Sequence, residues 1–367
     1  TDISNTSNTN PGAKVLERDR NDYKFKIYGS FYAKYNITKD LSFKTTVLGD
    51  YQNTRRDRWQ GVLSNRNGAS AAKFSISTEN RIHLVIDNLL TYNKIIGKHE
   101  ISAILGFSAE KYDTTFESVN ATGYDSDLIK TISAATTISN AESYEYVSRL
   151  LSYFGRVNYA YDDKYLLSLS IRRDGYSAFG PDSKYGNFPA ASAGWIISNE
   201  DFLNESEVVN FLKLRFSYGT TGNPFFDTGD DIINNYPYLS LIQSTTAVIG
   251  GSPTTAFNPI NIANPDLKWE RSIEINPAID FGLFNNTITG SFDYYKRTSD
   301  QLLLNNPISA TTGFTNALVN LGKVENKGKD IELRSRNITM ENFRWSSTLL
   351  VSKNENELVD FADSNGL

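Results

Sequence analysis

The sequence predicts an all-β fold in which antiparallel strands run up and down as the wall of a barrel. Three observations carry that prediction. Apolar and polar residues alternate with period two, as in Tyr165, Leu167, Leu169 and Ile171 against Ser168, Ser170 and Arg172, and this period puts each set on its own side of a strand. Tight polar turns such as Asp162, Asp163 and Lys164 alternate with long loops such as residues 174–188, so one rim is short and the other long. No stretch approaches the roughly 18 consecutive apolar residues of a membrane-spanning helix, which excludes helices as the spanning element but leaves strands open.

The elements follow in order. Residues 1–20 read as a polar segment in loop conformation, with 21–367 as the partial barrel. From about Lys24 to Asn36 a strand alternates Phe25, Ile27, Phe31 and Tyr35 with Lys24, Lys26, Ser30 and Lys34. Residues 38–40 turn it back into a partner carrying Leu41, Phe43, Val47 and Tyr51 on one face, and a polar loop is expected from about Arg55 to Glu79. A second pair runs from about Arg81 to Tyr92, turns near Gly97 and returns through Ile101, Ala103, Leu105 and Phe107. The Ser/Thr/Asn-rich stretch from about Thr114 to Ser143 then reads as an exposed loop.

The third pair is the clearest, with Leu151, Tyr153, Val157 and Tyr159 opposing Ser152, Arg156 and Asn158 before the turn at Asp162. A strand near Phe188 to Ile197 leads to an acidic connector, and the ascent Leu212 to Tyr218 opens the longest loop, reaching about Asn264. The descent Leu267 to Phe281 turns at Asn285 and Asn286, a favourable turn pair. A loop of about 25 residues precedes a last hairpin around Asn337 to Asn342. The sum is about twelve strands, with no fixed repeat of the propeller or solenoid kind.

Composition narrows the function classes. Tyr and Phe number 21 each against four Trp, a balance suited to strands and to membrane-interface belts. Mean hydropathy is −0.41, compatible with a membrane wall because alternation dilutes the apolar signal. The net charge of −5 and pI near 5.3 argue against nucleic acid as partner. The absence of Cys removes disulfide scaffolds and thiolate metal sites, and His83 and His99, the two histidines, read as surface or packing residues. Residues 1–10 have no apolar signal-peptide core, so the start of an exported protein is expected upstream.

Alternation alone fits a soluble sandwich as well as a membrane barrel turned inside out. Long strands, rims that never swap and aromatics near strand ends favour the membrane. So does the siting of Arg156, Arg172 and Arg215 away from the apolar face, where a cation at mid-membrane costs roughly 2 to 4 kcal/mol.

Several motifs in order carry a resemblance. YFGRVNYAYDDKYLLSLSIRRDG from Tyr153, then YGNFPAASAGW, LKLRFSYGTTGN from Leu212, NPDLKWERS from Asn264, DFGLFNNTITGSFDYYKRTSDQLL from Asp280 and TTGFTNALVNLGKVENKG from Thr311 resemble the SusC/RagA-type family of TonB-dependent outer-membrane transporters. The resemblance implies a barrel of about 22 strands with an internal plug, a SusD-like surface lipoprotein as partner, and energy from the TonB complex acting through the plug. It further implies residence in the bacterial outer membrane and import of oligosaccharides or peptides. It places the turns at Asp162 and Asn285 on the periplasmic side and the loops at Gly175 and Gly222 outside. The plug domain and TonB box have no counterpart in the sequence, so the chain is expected to be part of a longer protein. Ala178 and Ile196 stand where family members often carry basic residues.

Candidate sites are few, and neither catalysis nor a cofactor is expected. Glu270 with Glu274, and Asp280 with Asp293, are pairs of carboxylates; four residues along a strand span about 13 Å, too far for glycoside hydrolysis, and although a cross-strand pair could lie closer, solvated lumen charges fit both better. Asp227, Asp230 and Asp231 form an acidic loop cluster, a weak calcium candidate without EF-hand spacing. Trp59, read as a loop residue, and Tyr236 and Tyr238 in the largest loop are candidates for substrate or partner contact. Two alternatives stay open: a soluble or surface glycan-binding β-protein, and a siderophore or cobalamin receptor dependent on TonB.

Overall fold

The computed structural model describes residues 11–64 and 72–361. A short helix, α1 (Pro11–Leu16), precedes β1 (Arg18–Asn36), β2 (Leu41–Gln60), β3 (Lys73–Ile96), β4 (His99–Thr122) and β5 (Thr137–Tyr161). Shorter strands follow: β6 (Tyr165–Tyr176), β7 (Tyr185–Ile196) and β8 (Val209–Asn223). Then come α2 (Asp231–Asn235) and the hairpin β9 (Ile242–Ile249) and β10 (Ser252–Pro259). After β11 (Glu270–Leu283) and β12 (Ile288–Asp300), a small hairpin of β13 (Leu303–Pro307) and β14 (Asn316–Asn320) leads to β15 (Lys323–Thr339) and β16 (Arg344–Asp360).

Twelve strands form one sheet in the order β1-β2-β3-β4-β5-β6-β7-β8-β11-β12-β15-β16, and the two hairpins stand apart as two-stranded sheets. The up-and-down antiparallel wall expected from the sequence is therefore the observed architecture. The chain divides into two compact units, Thr1–Tyr32 with Thr46–Ile86 and Glu110–Arg149, and Ala33–Thr45 with Asp87–Ala109 and Leu150–Leu367.

In the second unit the register keeps like with like. Tyr165 lies opposite Trp195, Leu167 opposite Ala193 and Leu169 opposite Ala191. Ala191 and Ala193 meet Tyr218 and Phe216, which meet Ile275 and Pro277. The same order on the other face aligns Asn158, Ser168, Ser192, Ser217 and Asn276 in one row across β5, β6, β7, β8 and β11. A slip of one residue in any pair would mix the two faces, so the alternation itself fixes the register. The apolar face is not covered by protein: Ile171 is 55% exposed and Phe216 49%.

The short rim turns through left-handed backbone. Asp162 and Asp163 have φ of 53° and 50°, and Asn285 and Asn286 have 55° and 54°, a region that Asp and Asn enter at lower cost than most residues. Each unit has its own small core. In the second, Phe179, Phe188, Leu267, Trp269, Leu303 and Leu318 are buried together; in the first, Trp59, Phe74 and Tyr124 pack with Ala72 and Ala121.

Four expected loops prove more regular than their composition suggested. The polar stretch 55–79 contains the end of β2 and the start of β3, and the stretch 114–143 contains the end of β4 and the start of β5. Backbone pairing continues after the apolar alternation stops, because Trp59 and Phe74 from these stretches are buried with Ala121, and buried backbone N–H and C=O groups need partners. Phe116 stacked on Tyr144 at 4.8 Å adds a cross-strand contact there. The longest loop holds α2 and the β9–β10 hairpin, and the 25-residue loop holds β13 and β14. Of the expected N-terminal loop 1–20, residues 1–10 lie outside the described residues, while 11–16 are helical and β1 begins at Arg18.

Candidate functional site

The polar face of the second unit is the surface on which functional side chains collect. Its neutral row of Ser168, Ser192, Ser217 and Asn276 lines a recess of about 460 Å³ together with Lys213 and Arg215. The small side chains leave room there, and charged residues edge it. Arg215 clamps two carboxylates: its Nε donates to the Asp280 Oδ atoms at 3.1 and 3.0 Å, and an Nη to Asp293 at 2.9 Å. Arg172 Nε donates to Asp174 at 2.7 Å and its Nη2 to Ser152 at 2.8 Å, and Arg297 donates to Glu274 at 2.7 Å.

These ion pairs answer the question of the carboxylates. Asp280 and Asp293 are brought together by the arginine between them rather than by a reacting bond, and Glu274 is engaged by Arg297. Each is a hydrogen-bonded charge on the polar face, as solvated lumen charges would be. In the first unit, the expectation of packing roles for histidine meets a particular geometry: His83 stacks on Tyr112 at 4.0 Å, with Nε2 2.6 Å from a Glu110 oxygen. His99 Nδ1 lies 2.7 Å from the Tyr159 hydroxyl in the second unit.

The acidic cluster is spent on local structure. Asp227 Oδ1 accepts from the Gly229 amide at 2.8 Å and from Asn234 at 3.3 Å, and these bonds hold its carboxyl below the usual carboxylate range. Asp230 caps α2, accepting from the amides of Ile232 and Ile233 at 2.8 and 3.0 Å. Asp231 lies in the first turn of α2. The calcium candidate is corrected accordingly: among the described residues no group of three or more His, Asp or Glu is arranged to hold a metal ion.

The aromatic candidates are placed differently from one another. Trp59, expected in a loop, lies in β2 and is 3% exposed. Phe74 and Tyr124 pack edge-on to its ring at 6.1 and 4.8 Å, and Lys130 Nζ lies over it at 5.7 Å. Its ring is thus packed by protein, and its place in β2 corrects the expected loop position. Tyr236 and Tyr238 flank the buried Pro237 just after α2, and both are half-buried.

At the short rim one carboxylate organises the turn. Glu200 accepts from the Tyr165 hydroxyl at 2.6 Å, from Trp195 Nε1 at 3.0 Å and from Lys164 Nζ at 3.2 Å. The tyrosine bond first, then the tryptophan bond, hold its carboxyl below the ordinary range. The sequence-based expectations did not single out Glu200, because its partners come from β6, β7 and the turn before β6, which only the register brings to one place.

Comparison with known proteins adds the lineage. A family model described as TonB dependent receptor-like, beta-barrel matches residues 1–364. TonB-dependent receptors P3 and P39 of Formosa agariphila are each 32% identical to this chain, covering 96% of it and 34% and 33% of their own lengths. TonB-dependent receptor SusC of Bacteroides thetaiotaomicron is 29% identical over 89% of this chain and 32% of SusC. The chain thus spans about a third of the length of these curated relatives. Among solved structures, the RagAB peptide transporter superposes with a TM-score of 0.84 at 24% identity, over 96% of this chain and 38% of that one. The ferric citrate transporter FecA gives 0.53 at 9% identity, over 92% and 43%; at such identities the likeness is one of fold. The resemblance carried by the sequence motifs is borne out.

Proposed function

The chain belongs to the TonB-dependent receptor-like β-barrel family, and from that premise we propose that it forms wall of an outer-membrane importer of the SusC/RagA type. In this reading the apolar face of β6, β7, β8 and β11 meets lipid and the polar face lines the passage. The observation that carries it is the segregation of the two faces: charges such as Arg215, Asp280 and Asp293 pair on one side, while Ile171 and Phe216 stand uncovered on the other. A soluble sheet would bury that apolar face; a membrane wall exposes it to acyl chains.

The tight turns at Asp162 and Asn285 then face the periplasm and the long loops face outward. Transport is energised by the TonB complex acting through a plug, and a SusD-like surface lipoprotein works at the outer mouth. The cargo is an oligosaccharide or peptide too large for simple porins. The chain's contribution is a polar, hydrogen-bonding wall rather than covalent chemistry.

The test uses the whole protein. It is expected to fractionate with the outer membrane, to require detergent for monodispersity and to support uptake that ceases when TonB is deleted. A protein that stays monodisperse in plain buffer, or uptake indifferent to TonB, would overturn the reading.

A further inference from the structure

A second polar site lies in the first unit, at the long-loop ends of β1, β2 and β3. Arg18, Arg20, Arg58 and Lys73 line a single cavity of about 390 Å³ with Trp59 and Ser75. The chain as a whole carries a net charge of −5, so four cations around one cavity run against its overall balance. Among the described residues no carboxylate lines it.

Several other cations of the same unit are matched. Lys26 pairs with Asp50 at 2.8 Å, Arg55 with Asp57 at 2.9 Å, and Lys111 with Asp113 at 2.7 Å. Of the four cations, among the described residues Arg58 alone is engaged, with Asp22 at 2.5 Å and the Asn21 carbonyl at 3.0 Å. Arg18, Arg20 and Lys73 have neither an ion pair nor a side-chain hydrogen bond among the described residues. Two of the cavity's donors are buried: Arg18 Nε and Trp59 Nε1 have no acceptor among the described residues, and Trp59 itself is 3% exposed. A buried N–H without an acceptor is costly, and a charged one more so. Guanidinium groups suit the oxygens of carboxylate and sulfate groups, which they can grip through paired N–H donors.

We propose that this cavity binds an acidic oligosaccharide, one bearing carboxylate or sulfate groups, on its way into the barrel. The lining consists of cationic, indole and hydroxyl donors with the amide of Gln60, groups that match oxyanions and sugar hydroxyls. An extended peptide would call for apolar pockets for its alternate side chains, and here the one aromatic ring is occupied by Phe74 and Tyr124. The ligand contact of Trp59 is thus its Nε1–H edge rather than its face. The proposal rests on the import reading above and names the class of cargo.

The experiment is calorimetric titration of the whole protein in detergent with a heparin-derived octasaccharide, a neutral malto-oligosaccharide and a hexaglutamate peptide. The octasaccharide is expected to bind, to weaken as salt rises, and to be displaced by inorganic sulfate; the neutral sugar and the peptide are expected to bind at least tenfold more weakly. The triple variant Arg18→Gln, Arg20→Gln, Lys73→Gln should lose at least tenfold in octasaccharide affinity. Trp59→Phe, which keeps the ring packing and removes the N–H, should lose about threefold. Equal binding of the acidic and neutral sugars, preference for the peptide, or affinity unchanged in the triple variant would overturn the proposal. Displacement by sulfate tests the same point on the unaltered protein should a variant fail to assemble. TonB-dependent uptake with no selectivity for acidic sugar removes this proposal and leaves the import reading standing; selective binding without any uptake does the reverse.

Discussion

At the scale of single residues, the short rim depends on what one carboxylate holds. Glu200 gathers the Tyr165 hydroxyl, the Trp195 indole and Lys164, tying the ends of β6 and β7 to the turn that follows. Its folded pKa lies below its unfolded value. A group shifted that way stabilises the fold fully above the unfolded pKa and loses the contribution as pH falls through the folded one. Glu200→Gln is therefore expected to lower the melting temperature of the whole protein at neutral pH. The difference from wild type should narrow as pH drops below the ordinary glutamate range and close once Glu200 is protonated. Thermal unfolding in detergent followed across pH measures this, and a difference that is flat with pH would mean that the charge on Glu200 is not its source. Glycine makes a different point at Gly222, where an added Cβ would fall 2.1 Å from the Phe188 ring. Gly222→Ala should push Phe188 out of its cluster at a cost of about 1 to 3 kcal/mol, seen as a lowered melting temperature; Phe188→Leu in the same background should recover part of it.

At the scale of elements, the loops of the long rim are held by a core of their own. Trp269, just before β11, packs edge-on against Phe179 and Phe188 at 5.6 and 5.5 Å and donates from Nε1 to the Lys184 carbonyl at 2.9 Å. Its partners come from the loop after β6, from β7 and from the β13–β14 hairpin. Trp269→Ala should cost about 3 to 5 kcal/mol, and because the loss falls on loops, limited proteolysis should cut within residues 176–184 or 260–268 well before the strands are attacked. Cleavage unchanged from wild type would mean that the cluster does not hold the rim. This core also marks where the sequence was legible and where it was not. Alternation gave the strands and their faces because Tyr165, Leu167 and Leu169 declare a face from a single chain. It could not reveal that Trp269 and Phe179 meet, since residues 90 positions apart are joined only by register. For the same reason polarity misread the ends of β2 to β5 as loops: Trp59, Phe74 and Ala121 are isolated apolar residues along the chain and make a core only once the strands bring them together. Of the candidate carboxylates, Asp280 and Asp293 are joined through Arg215 on the polar face, a contact that no spacing along the chain declares. Trp59 was misplaced in a loop because a Trp between Arg58 and Gln60 carries no sign of the strand and of Tyr124, from a distant segment, that packs on it.

At the scale of the whole molecule, everything proposed for this chain depends on which face meets lipid, and two neighbouring residues of β6 can decide it. Leu169 lies between Val157 and Ala191 on the apolar face, and Ser168 between Asn158 and Ser192 on the polar one. A lysine at either position places the same charged side chain on the same strand, one residue apart, so the comparison turns on the surroundings of each face. The environments do not cancel. A cation held toward acyl chains near mid-membrane costs roughly 2 to 4 kcal/mol, whereas the row at Ser168 offers hydroxyl and amide partners and room in the recess. Leu169→Lys in the whole protein is expected to reduce the amount assembled in the outer membrane and to lower its melting temperature in detergent, while Ser168→Lys assembles at the wild-type level. Equal tolerance of both would remove lipid from the apolar face, and the reverse order would exchange the two faces. Either outcome would also undo the assignment of Arg215, Asp280 and Asp293 to the passage, because they share the face of Ser168.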